Sequence, residues 1–317
     1  MAFTNLWKSY KIKINGSRGE KMKFLSFKIN GTEQYGVFDD QSNEIVNLAL
    51  LAKKDGTLPL TLIEGIQQGD SFINSVVKAL ENLGNDRNTY LVNKDMIEWL
   101  SPIPHPIKNI MCVGKNYREH AIEMGSEADI PEHVMVFTKA TTTVTGHLTT
   151  IQAHSEITNQ LDYEGELAVV IGKKGKNISE EEALQYVFGY TILNDITARD
   201  LQSRHKQFFI GKSLDTSCPI GPWIVHHSAI SSPNDLTITT KVNDEIRQHS
   251  NTKHFIFSIE TVISTLSKGM TLEPGDIIAT GTPSGVGKGF NPPKFLKEND
   301  RIDISIDGIG TLTNKVQ

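Results

Sequence analysis

The chain has 317 residues, of which 38% are hydrophobic and 22% are charged, proportions typical of a globular protein with a sizeable core. Its formal net charge of -5 disfavours nucleic acid as the main partner, because no basic stripe is present to neutralise phosphates. No segment is long and apolar enough to predict a membrane helix, and the N-terminus lacks the apolar block of a signal peptide. The net charge favours a protein that acts on a small molecule. The two cysteines have neither metal-ligand nor disulfide spacing, so we expect the protein to be cytoplasmic.

The first hundred residues divide into an unpatterned start and a small domain. Residues 1–21 are mildly basic and lack hydrophobic periodicity, so we interpret them as a leader or an added extension outside the fold. The segment 24–38 is typical of a β-hairpin, because an Asn-Gly turn separates two apolar runs. Apolar residues recur at helical spacing over 60–83 with a break at a glycine, which predicts two short helices. We therefore predict a small N-terminal α/β domain over residues 22–100.

The remainder of the chain is rich in short strands. Three prolines within residues 101–108 (SPIPHPIK) predict a stiff linker, and residues 109–317 then form a second domain. Helices are predicted at 179–188, from a capping-box pattern, and at 257–266. Because strands outnumber helices without β-α-β alternation, we predict an α+β domain on a mixed sheet or roll. The predicted strands are 110–113, 134–138, 167–171, 190–193, 277–280 and 301–306.

An acidic cluster precedes one of these strands, in residues 161–172 (LDYEGELAVVIG). Side chains alternate along a strand, so we expect Asp162, Glu164 and Glu166 to project from one face. Two carboxylates about 6 to 7 Å apart repel by about 2 to 3 kcal/mol at an effective dielectric of about 20, which favours a bound cation. The alternative is a solvated edge strand whose acids face water.

A second anomalous carboxylate, Asp195, lies in the strand-like run 190–197 (YTILNDIT). Charged side chains are rarely buried without a partner. We therefore predict a metal site formed by Glu164, Glu166 and Asp195, with positions open to water or substrate. Ligation by oxygen alone favours Mg²⁺ or Mn²⁺ over zinc, which usually recruits histidine or cysteine.

Other candidates are weaker when they are judged from spacing alone. His120 and Glu123 lie three residues apart in the segment 114–123 (GKNYREHAIE), where a carboxylate could orient an imidazole as a general base, although such pairs are common on surfaces. Nothing in the sequence argues that Lys212 is buried, so we expect it to be exposed. The loop 280–289 (TGTPSGVGKG) departs from the Walker A pattern but could bind an anionic carboxylate through its backbone N–H groups.

Six motifs follow one another along residues 109–317, and in order and spacing they resemble the fumarylacetoacetate hydrolase family. Within that family the chain is similar to the bacterial YisK type, which also carries a small N-terminal domain. The resemblance implies a mixed β-roll or β-sandwich catalytic domain, a homodimer, and Mg²⁺ or Mn²⁺ held by Glu164, Glu166 and Asp195. The motifs are GKNYREHAIEMGSEADIPEHVMVFTK, LDYEGELAVVIGK, GYTILNDITARDLQ, GKSLDTSCPIGP, VNDEIRQ and LEPGDIIATGTPSGVGKG.

The resemblance also implies roles for residues that spacing leaves open. His120 and Glu123 match the dyad of the family's lid, which positions or deprotonates a water, and Lys212 matches its active-site lysine. One difference bears on the substrate: members that cleave fumarylacetoacetate carry another acidic ligand ahead of the histidine, whereas residues 112–117 contain no acid. The positions that match contacts to an oxalate-like carboxylate on the metal are Arg199, Gln202 and Thr282.

From the resemblance we expect a divalent-metal-dependent enzyme that cleaves a C–C bond in a small 2-oxo acid. Oxaloacetate decarboxylation is the favoured reaction, because it needs no nucleophile once the metal stabilises the enolate. One alternative is hydrolysis of an acylpyruvate or fumarylpyruvate by water that His120 and Glu123 activate. Another is isomerisation or tautomerisation of a 2-oxo acid through the same enolate.

Overall fold

The computed structural model of the protein describes residues 22–317, so the predicted leader or extension lies outside the described residues. Over this range strands outnumber helices, which confirms the predicted α+β class. The strands are β1 (Lys23–Ile29), β2 (Thr32–Asp39), β3 (Glu44–Asn47), β4 (Leu91–Asn93), β5 (Glu98–Trp99), β6 (Ile110–Gly114), β7 (Met135–Lys139), β8 (Val144–Thr145), β9 (Thr150–Ile151), β10 (Leu161–Asp162), β11 (Gly165–Ile171), β12 (Val187–Asn194), β13 (Thr197–Ala198), β14 (Cys218–His226), β15 (Thr237–Val242), β16 (Glu245–Asn251), β17 (Ile277–Ala279), β18 (Arg301–Ile306) and β19 (Gly310–Val316). The helices are α1 (Leu48–Asp55), α2 (Leu62–Gln68), α3 (Asp70–Glu81), α4 (Arg118–Glu123), α5 (Arg199–His205), α6 (Phe209–Lys212) and α7 (Ile259–Ser267).

Two sheets enclose the main core. The larger is a 12-stranded mixed sheet whose order is β4-β3-β2-β1-β14-β12-β11-β17-β6-β7, with β5 beside β1 and β8 beside β14. The smaller has 5 strands in the order β16-β15-β18-β19-β9. Leu167 and Val169 of β11 lie in the same buried cluster as Ile238 of β15 and Ile304 of β18. The two sheets therefore pack face to face, as in the predicted roll or sandwich.

The N-terminal segment continues the larger sheet. The predicted hairpin is present as β1 and β2, and the predicted helical pair is present as α2 and α3, which meet at Gly69. Strand β1 pairs with β14, with Phe24 opposite Ile224, so the larger sheet contains strands from both sides of the predicted linker. A division into domains at 22–100 and 109–317 stays a prediction. No helix within residues 22–317 has both the length and the apolar character needed to cross a membrane.

The helix predicted over residues 179–188 is wrong. The structure has a short 3-10 turn over Ala183–Tyr186, and strand β12 begins at Val187. Every residue of β12 (VFGYTILN) is buried between β11 and β14, so its side chains pack best on a pleated surface. This tertiary packing outweighs the local helix signal.

Candidate functional site

Three acidic side chains meet where two paired strands end. Glu166 lies on β11, Glu164 directly precedes β11, and Asp195 directly follows β12. Gly165 pairs with Asn194, and the Asp195 N–H donates to the Glu164 carbonyl at 2.9 Å, so the two segments lie side by side. One carboxylate oxygen from each acid lies within 4.8 Å of the others, and all three residues are buried. The structure thus brings together the three predicted metal ligands.

Cationic side chains neutralise two of these acids. The Lys212 ammonium lies 2.8 Å from Glu164 Oε2 and 2.7 Å from Asp195 Oδ2. Arg199 Nη1 lies 2.7 Å from Glu164 Oε1, and Lys139 Nζ lies 2.8 Å from Asp195 Oδ1. Burial alone would raise the pKa of Glu164, but Lys212 and Arg199 hold it below its ordinary value. The expectation that Lys212 is exposed is wrong: the residue is 2% exposed, because two buried carboxylates balance its charge.

Glu166 differs from its neighbours because it has no cationic partner. Its Oε2 accepts a hydrogen bond from the Gly281 N–H at 2.8 Å, and no lysine or arginine of residues 22–317 forms an ion pair with it. Burial and the charges of Asp195 and Glu164 raise the pKa of this carboxyl well above its ordinary value. A buried, all-oxygen cluster with one uncompensated acid fits a hard divalent cation. Glu164, Glu166 and Asp195 could therefore hold the metal.

Asp162 is buried but is not part of the three-carboxylate cluster. The expectation that it shares one strand face with Glu164 and Glu166 is wrong, because the strand breaks at residues 163–164. Asp162 lies on β10, which pairs with β13, whereas β11 pairs with β12. Asp162 Oδ2 accepts a hydrogen bond from Arg199 Nε at 2.8 Å, so a guanidinium compensates its charge.

His120 and Glu123 form a hydrogen-bonded pair on α4. His120 Nδ1 lies 3.1 Å from Glu123 Oε2, and Glu123 Oε1 accepts the Gly285 N–H at 2.8 Å. His120 is buried, and it lines the same cavity as Glu164 and Glu166. A carboxylate on Nδ1 fixes the proton there, which leaves Nε2 of the neutral ring as a proton acceptor.

The backbone of the glycine-rich loop 280–289 donates hydrogen bonds to acids of the protein itself, and binding of a ligand's carboxylate there stays a prediction. Three glycine N–H groups of the loop each hold one acid of the site in place, and a glycine adds no side chain to the cavity. A Cβ at Gly289 would overlap Glu123, so this close approach requires glycine. The donors and acceptors are Gly281 and Glu166 (2.8 Å), Gly285 and Glu123 (2.8 Å), and Gly287 and Asp162 (2.6 Å).

A cavity of about 370 Å³ lies at this site, a size that suits a small organic ligand. Its opening is marked by lining residues that are exposed, among them Lys206 and Lys288. The buried residues of its wall include His120, Glu164, Glu166, Arg199, Lys212 and Thr282.

The three predicted substrate contacts all line the cavity, but their hydrogen-bonding capacity differs. Thr282 Oγ1 donates to the Gly165 carbonyl at 3.0 Å and accepts from Gln248 at 2.7 Å, so its hydrogen is already used. Gln202 Oε1 accepts from Arg199 Nη1 at 3.2 Å. Arg199 Nη2 is buried and has no acceptor within the described part of the chain. Arg199 therefore retains a donor that a ligand could use.

Sequence reasoning missed two lysines of this site. Lys139, at the end of β7, is fully buried, and its Nζ also donates to the Ile196 carbonyl at 2.9 Å. A lysine that ends an apolar strand was the available signal. Lys288 lines the opening, and its only signal was its position between two glycines of the loop.

Comparisons with known proteins agree with this architecture. The profile of the family described as Fumarylacetoacetate (FAA) hydrolase C-terminal matches residues 109–317. The chain is 56% identical over 301 residues to oxaloacetate tautomerase YisK of Bacillus subtilis, which covers 93% of this chain and 100% of the relative. A solved structure of a fumarylacetoacetate hydrolase from Exiguobacterium antarcticum superposes with a TM-score of 0.79 at 40% identity, covering 93% of this chain and 99% of the other.

A third relative was solved with ligands. It is a maleylpyruvate hydrolase from Sphingobium in complex with manganese(II) and pyruvate, with a TM-score of 0.73 at 28% identity, covering 93% of this chain and 98% of the other. The family profile spans the whole region that carries the acidic cluster, the His-Glu pair and the glycine-rich loop. On sequence and structure together, the chain belongs to the fumarylacetoacetate hydrolase family.

Proposed function

We propose that the protein is a divalent-metal-dependent oxaloacetate tautomerase, which interconverts the keto and enol forms of that acid. The observation that carries the proposal is the 56% identity, over 93% of the chain, to the protein named oxaloacetate tautomerase. The cavity supports it, because His120 lines the same small space as Glu164 and Glu166, two acids of the three-carboxylate cluster. Sequence reasoning favoured decarboxylation, which passes through the same enolate but also breaks a C–C bond.

Tautomerisation of oxaloacetate moves one proton. The C3–H bond of the keto form breaks, its electron pair forms the C2=C3 double bond, and the C2 oxygen takes the negative charge and then a proton. The reverse sequence regenerates the keto form. The site must therefore supply a base near C3 and positive charge near the C2 oxygen. A divalent cation at Glu164, Glu166 and Asp195 would, when bound, supply Lewis-acid stabilisation of that charge.

The residues of this chain supply the base and the fixed charge. His120 Nε2 takes the C3 proton, and Glu123 on the opposite ring nitrogen stabilises the imidazolium that results. Lys212 is held rigidly by its two carboxylate partners and faces the cavity with its positive charge. Arg199 adds a second fixed cation in the wall. Because these groups are positioned before the substrate arrives, little reorganisation is needed when charge develops.

Hydrolytic cleavage of an acylpyruvate is the second candidate. It is favoured by the likeness to a maleylpyruvate hydrolase and by the His120–Glu123 pair, which could orient a water as well as take a proton. Tautomerisation and hydrolysis make different demands on the dyad. The first needs a base at C3, and the second needs a water at the distal carbonyl.

The test follows enol-oxaloacetate with the purified protein and Mn²⁺. Loss of the ultraviolet absorbance of the enol reports tautomerisation, and CO₂ is quantified in the same samples. We expect EDTA-sensitive loss of the enol without CO₂ above the buffer control. Release of CO₂ at the rate of substrate loss would refute tautomerisation and support decarboxylation. Faster cleavage of acetylpyruvate than turnover of the enol would instead favour the hydrolase.

Variants distinguish the contribution of the metal site from that of the His120–Glu123 pair. Glu166→Ala should abolish both Mn²⁺ binding and turnover. Glu123→Gln should lower kcat by about a hundredfold while leaving Mn²⁺ binding unchanged, because it removes the support of a general base. Glu119→Gln is the matched control on the same helix, where the side chain is exposed and accepts a bond from Ser284. If Glu119→Gln and Glu123→Gln lose the same activity, the dyad has no special role.

The homodimer also stays a proposal. Strand β7 is an edge of the large sheet, and helix α6 packs beside it. Val136 on β7 is 41% exposed, and Phe209 and Ile210 on α6 are 45% and 47% exposed. An apolar patch next to an unpaired strand edge supports association with a second copy. Sedimentation equilibrium of the parent and of Ile210→Glu tests this surface, and an unchanged mass in the variant would count against it.

A further inference from the structure

Two exposed lysines at the cavity opening have no acidic partner. Lys206 and Lys288 both line the cavity, and within residues 22–317 neither ammonium group forms an ion pair or a hydrogen bond. Lys115 lines the same opening but is paired with Asp129 at 3.0 Å. Surface lysines are often unpaired, so exposure alone assigns no role. Lys288 differs because its backbone is held in place.

The backbone of Lys288 and the guanidinium of Arg199 are tied to one oxygen atom. Asp162 Oδ2 accepts the Lys288 N–H at 3.0 Å and Arg199 Nε at 2.8 Å. On one side of Lys288, the Gly287 N–H donates to Asp162 Oδ1 at 2.6 Å. On the other side, Gly289 allows Glu123 to approach the backbone closely. The backbone of residue 288 is thereby held beside Arg199.

Among the described residues, Lys288 has no ion-pair partner at this end of the cavity, and Arg199 keeps an unused donor. Arg199 compensates Asp162 and Glu164, but its Nη2 is buried without an acceptor. Burial and the neighbouring Arg199 hold the pKa of Lys288 below its ordinary value. An anion placed between the two groups would accept bonds from both and relieve their repulsion.

We propose that Lys288, with Arg199 beside it, binds the distal carboxylate of a dicarboxylic 2-oxo acid and so selects such acids over monocarboxylic ones. The inference rests on the proposed function and deepens it, because in oxaloacetate this group is the C4 carboxylate. Bonds from two cations hold the electron pair on that carboxylate. They therefore oppose the loss of CO₂ and favour proton transfer at C3 as the outcome.

The test uses a pair of unreactive ligands that differ in one group. Oxamate and N-oxalylglycine share the oxalyl head, and N-oxalylglycine adds a carboxymethyl arm. Their dissociation constants are measured by calorimetry on the full chain in excess Mn²⁺. In the parent protein N-oxalylglycine should bind more tightly. Lys288→Gln should weaken N-oxalylglycine by about tenfold to a hundredfold, the range for a hydrogen bond to a charged group, and change oxamate by less than about twofold.

Two further variants test whether the effect depends on the positive charge at position 288. Lys288→Arg should restore most of the affinity, because it returns the charge. Lys294→Gln removes one positive charge that lies shortly after the loop in sequence. Because Lys294 pairs with Glu245 and does not line the cavity, this change should leave both ligands unaffected. Equal loss of both ligands in Lys288→Gln, no preference for N-oxalylglycine in the parent, or selective loss in Lys206→Gln instead would each overturn the assignment.

The binding assay tests the distal subsite independently of turnover. If the protein fails to tautomerise oxaloacetate yet Lys288→Gln loses N-oxalylglycine selectively, the distal subsite stands and the proposed reaction fails. If oxaloacetate is tautomerised with an unchanged KM in Lys288→Gln, the reaction stands and the subsite is refuted.

Discussion

Replacing Asp162 by asparagine tests how much of the site depends on one buried carboxylate. Asp162 is fully buried, and each of its oxygens accepts two hydrogen bonds. Asparagine keeps one acceptor oxygen and turns the other position into a donor. The donors that point at the two oxygens are Tyr163 N–H (2.9 Å) and Gly287 N–H (2.6 Å) on Oδ1, and Arg199 Nε (2.8 Å) and Lys288 N–H (3.0 Å) on Oδ2.

The expected cost follows from this count. Whichever way the amide turns, two donors lose their acceptor and face an NH₂ group. Each bond to a charged group contributes about 1.5 to 3 kcal/mol, and removing one partner of a buried ion pair costs about 3 to 5 kcal/mol. These contributions overlap, so we expect Asp162→Asn to lower the free energy of unfolding by about 3 to 5 kcal/mol. The melting temperature should fall by about 5 to 8 °C, because a chain of this length unfolds with an entropy of about 0.6 kcal/mol per kelvin.

Urea unfolding and steady-state kinetics measure the two consequences separately. Asp276→Asn is the matched control, since Asp276 is buried and accepts bonds from Lys108 Nζ (2.8 Å) and the Glu273 N–H (2.9 Å) away from the cavity. Both variants should be destabilised. Only Asp162→Asn should also raise KM, because it releases Arg199 and Lys288. An Asp162→Asn protein with parental stability and parental KM would refute the reasoning.

Three further predictions concern buried charge. Lys139→Met should destabilise the metal-free protein by about 3 to 5 kcal/mol, because Asp195 loses an ion-pair partner at 2.8 Å, and Mn²⁺ should recover more thermal stability in it than in the parent. Glu166→Gln should leave the metal-free melting temperature unchanged or higher, since it removes a buried acid without a cation, whereas added Mn²⁺ should no longer raise it. Burial lowers the pKa of His147 from 6.5 to about 4, and its Nδ1 accepts the Thr313 N–H at 3.1 Å. Between these two pKa values the unfolded chain binds more protons than the folded one, so the free energy of unfolding should fall as pH drops from 6.5 towards about 4. In urea titrations at several pH values, His147→Asn should reduce part of that fall.

Features that depend on neighbouring residues were predictable from the sequence. The N-terminal hairpin follows from an Asn-Gly turn between apolar runs, and it is present as β1 and β2. The carboxylates Glu164, Glu166 and Asp195 could be grouped because acids beside buried strands are costly unless they share a cation. The structure brings them within 4.8 Å of one another. The roles of the remaining site residues came from family resemblance, because a His-Glu pair at this spacing is common on surfaces.

Features that depend on distant partners were not predictable in the same way. Lys212 looks like a surface lysine because its partners, Asp195 and Glu164, are 17 and 48 residues away. Asp162 looks like part of one acidic strand face with Glu164 and Glu166, because the Gly287 N–H that it accepts comes from 125 residues further along the chain. In both cases the sequence shows the charge but not the group that compensates it.

The four buried acids near the cavity show why that distinction matters for function. Among the residues that the structure describes, Glu164, Asp195 and Asp162 each have a cationic partner, whereas Glu166 has a single backbone N–H. A protein selected for stability alone would gain by replacing an uncompensated buried carboxylate. We therefore propose that a cation from solution compensates this carboxylate in the cavity wall, whereas the acids around it already have partners of their own. On this proposal, the charge balance of the site, more than the clustering of the carboxylates, makes Glu166 the acid whose loss should most weaken metal binding.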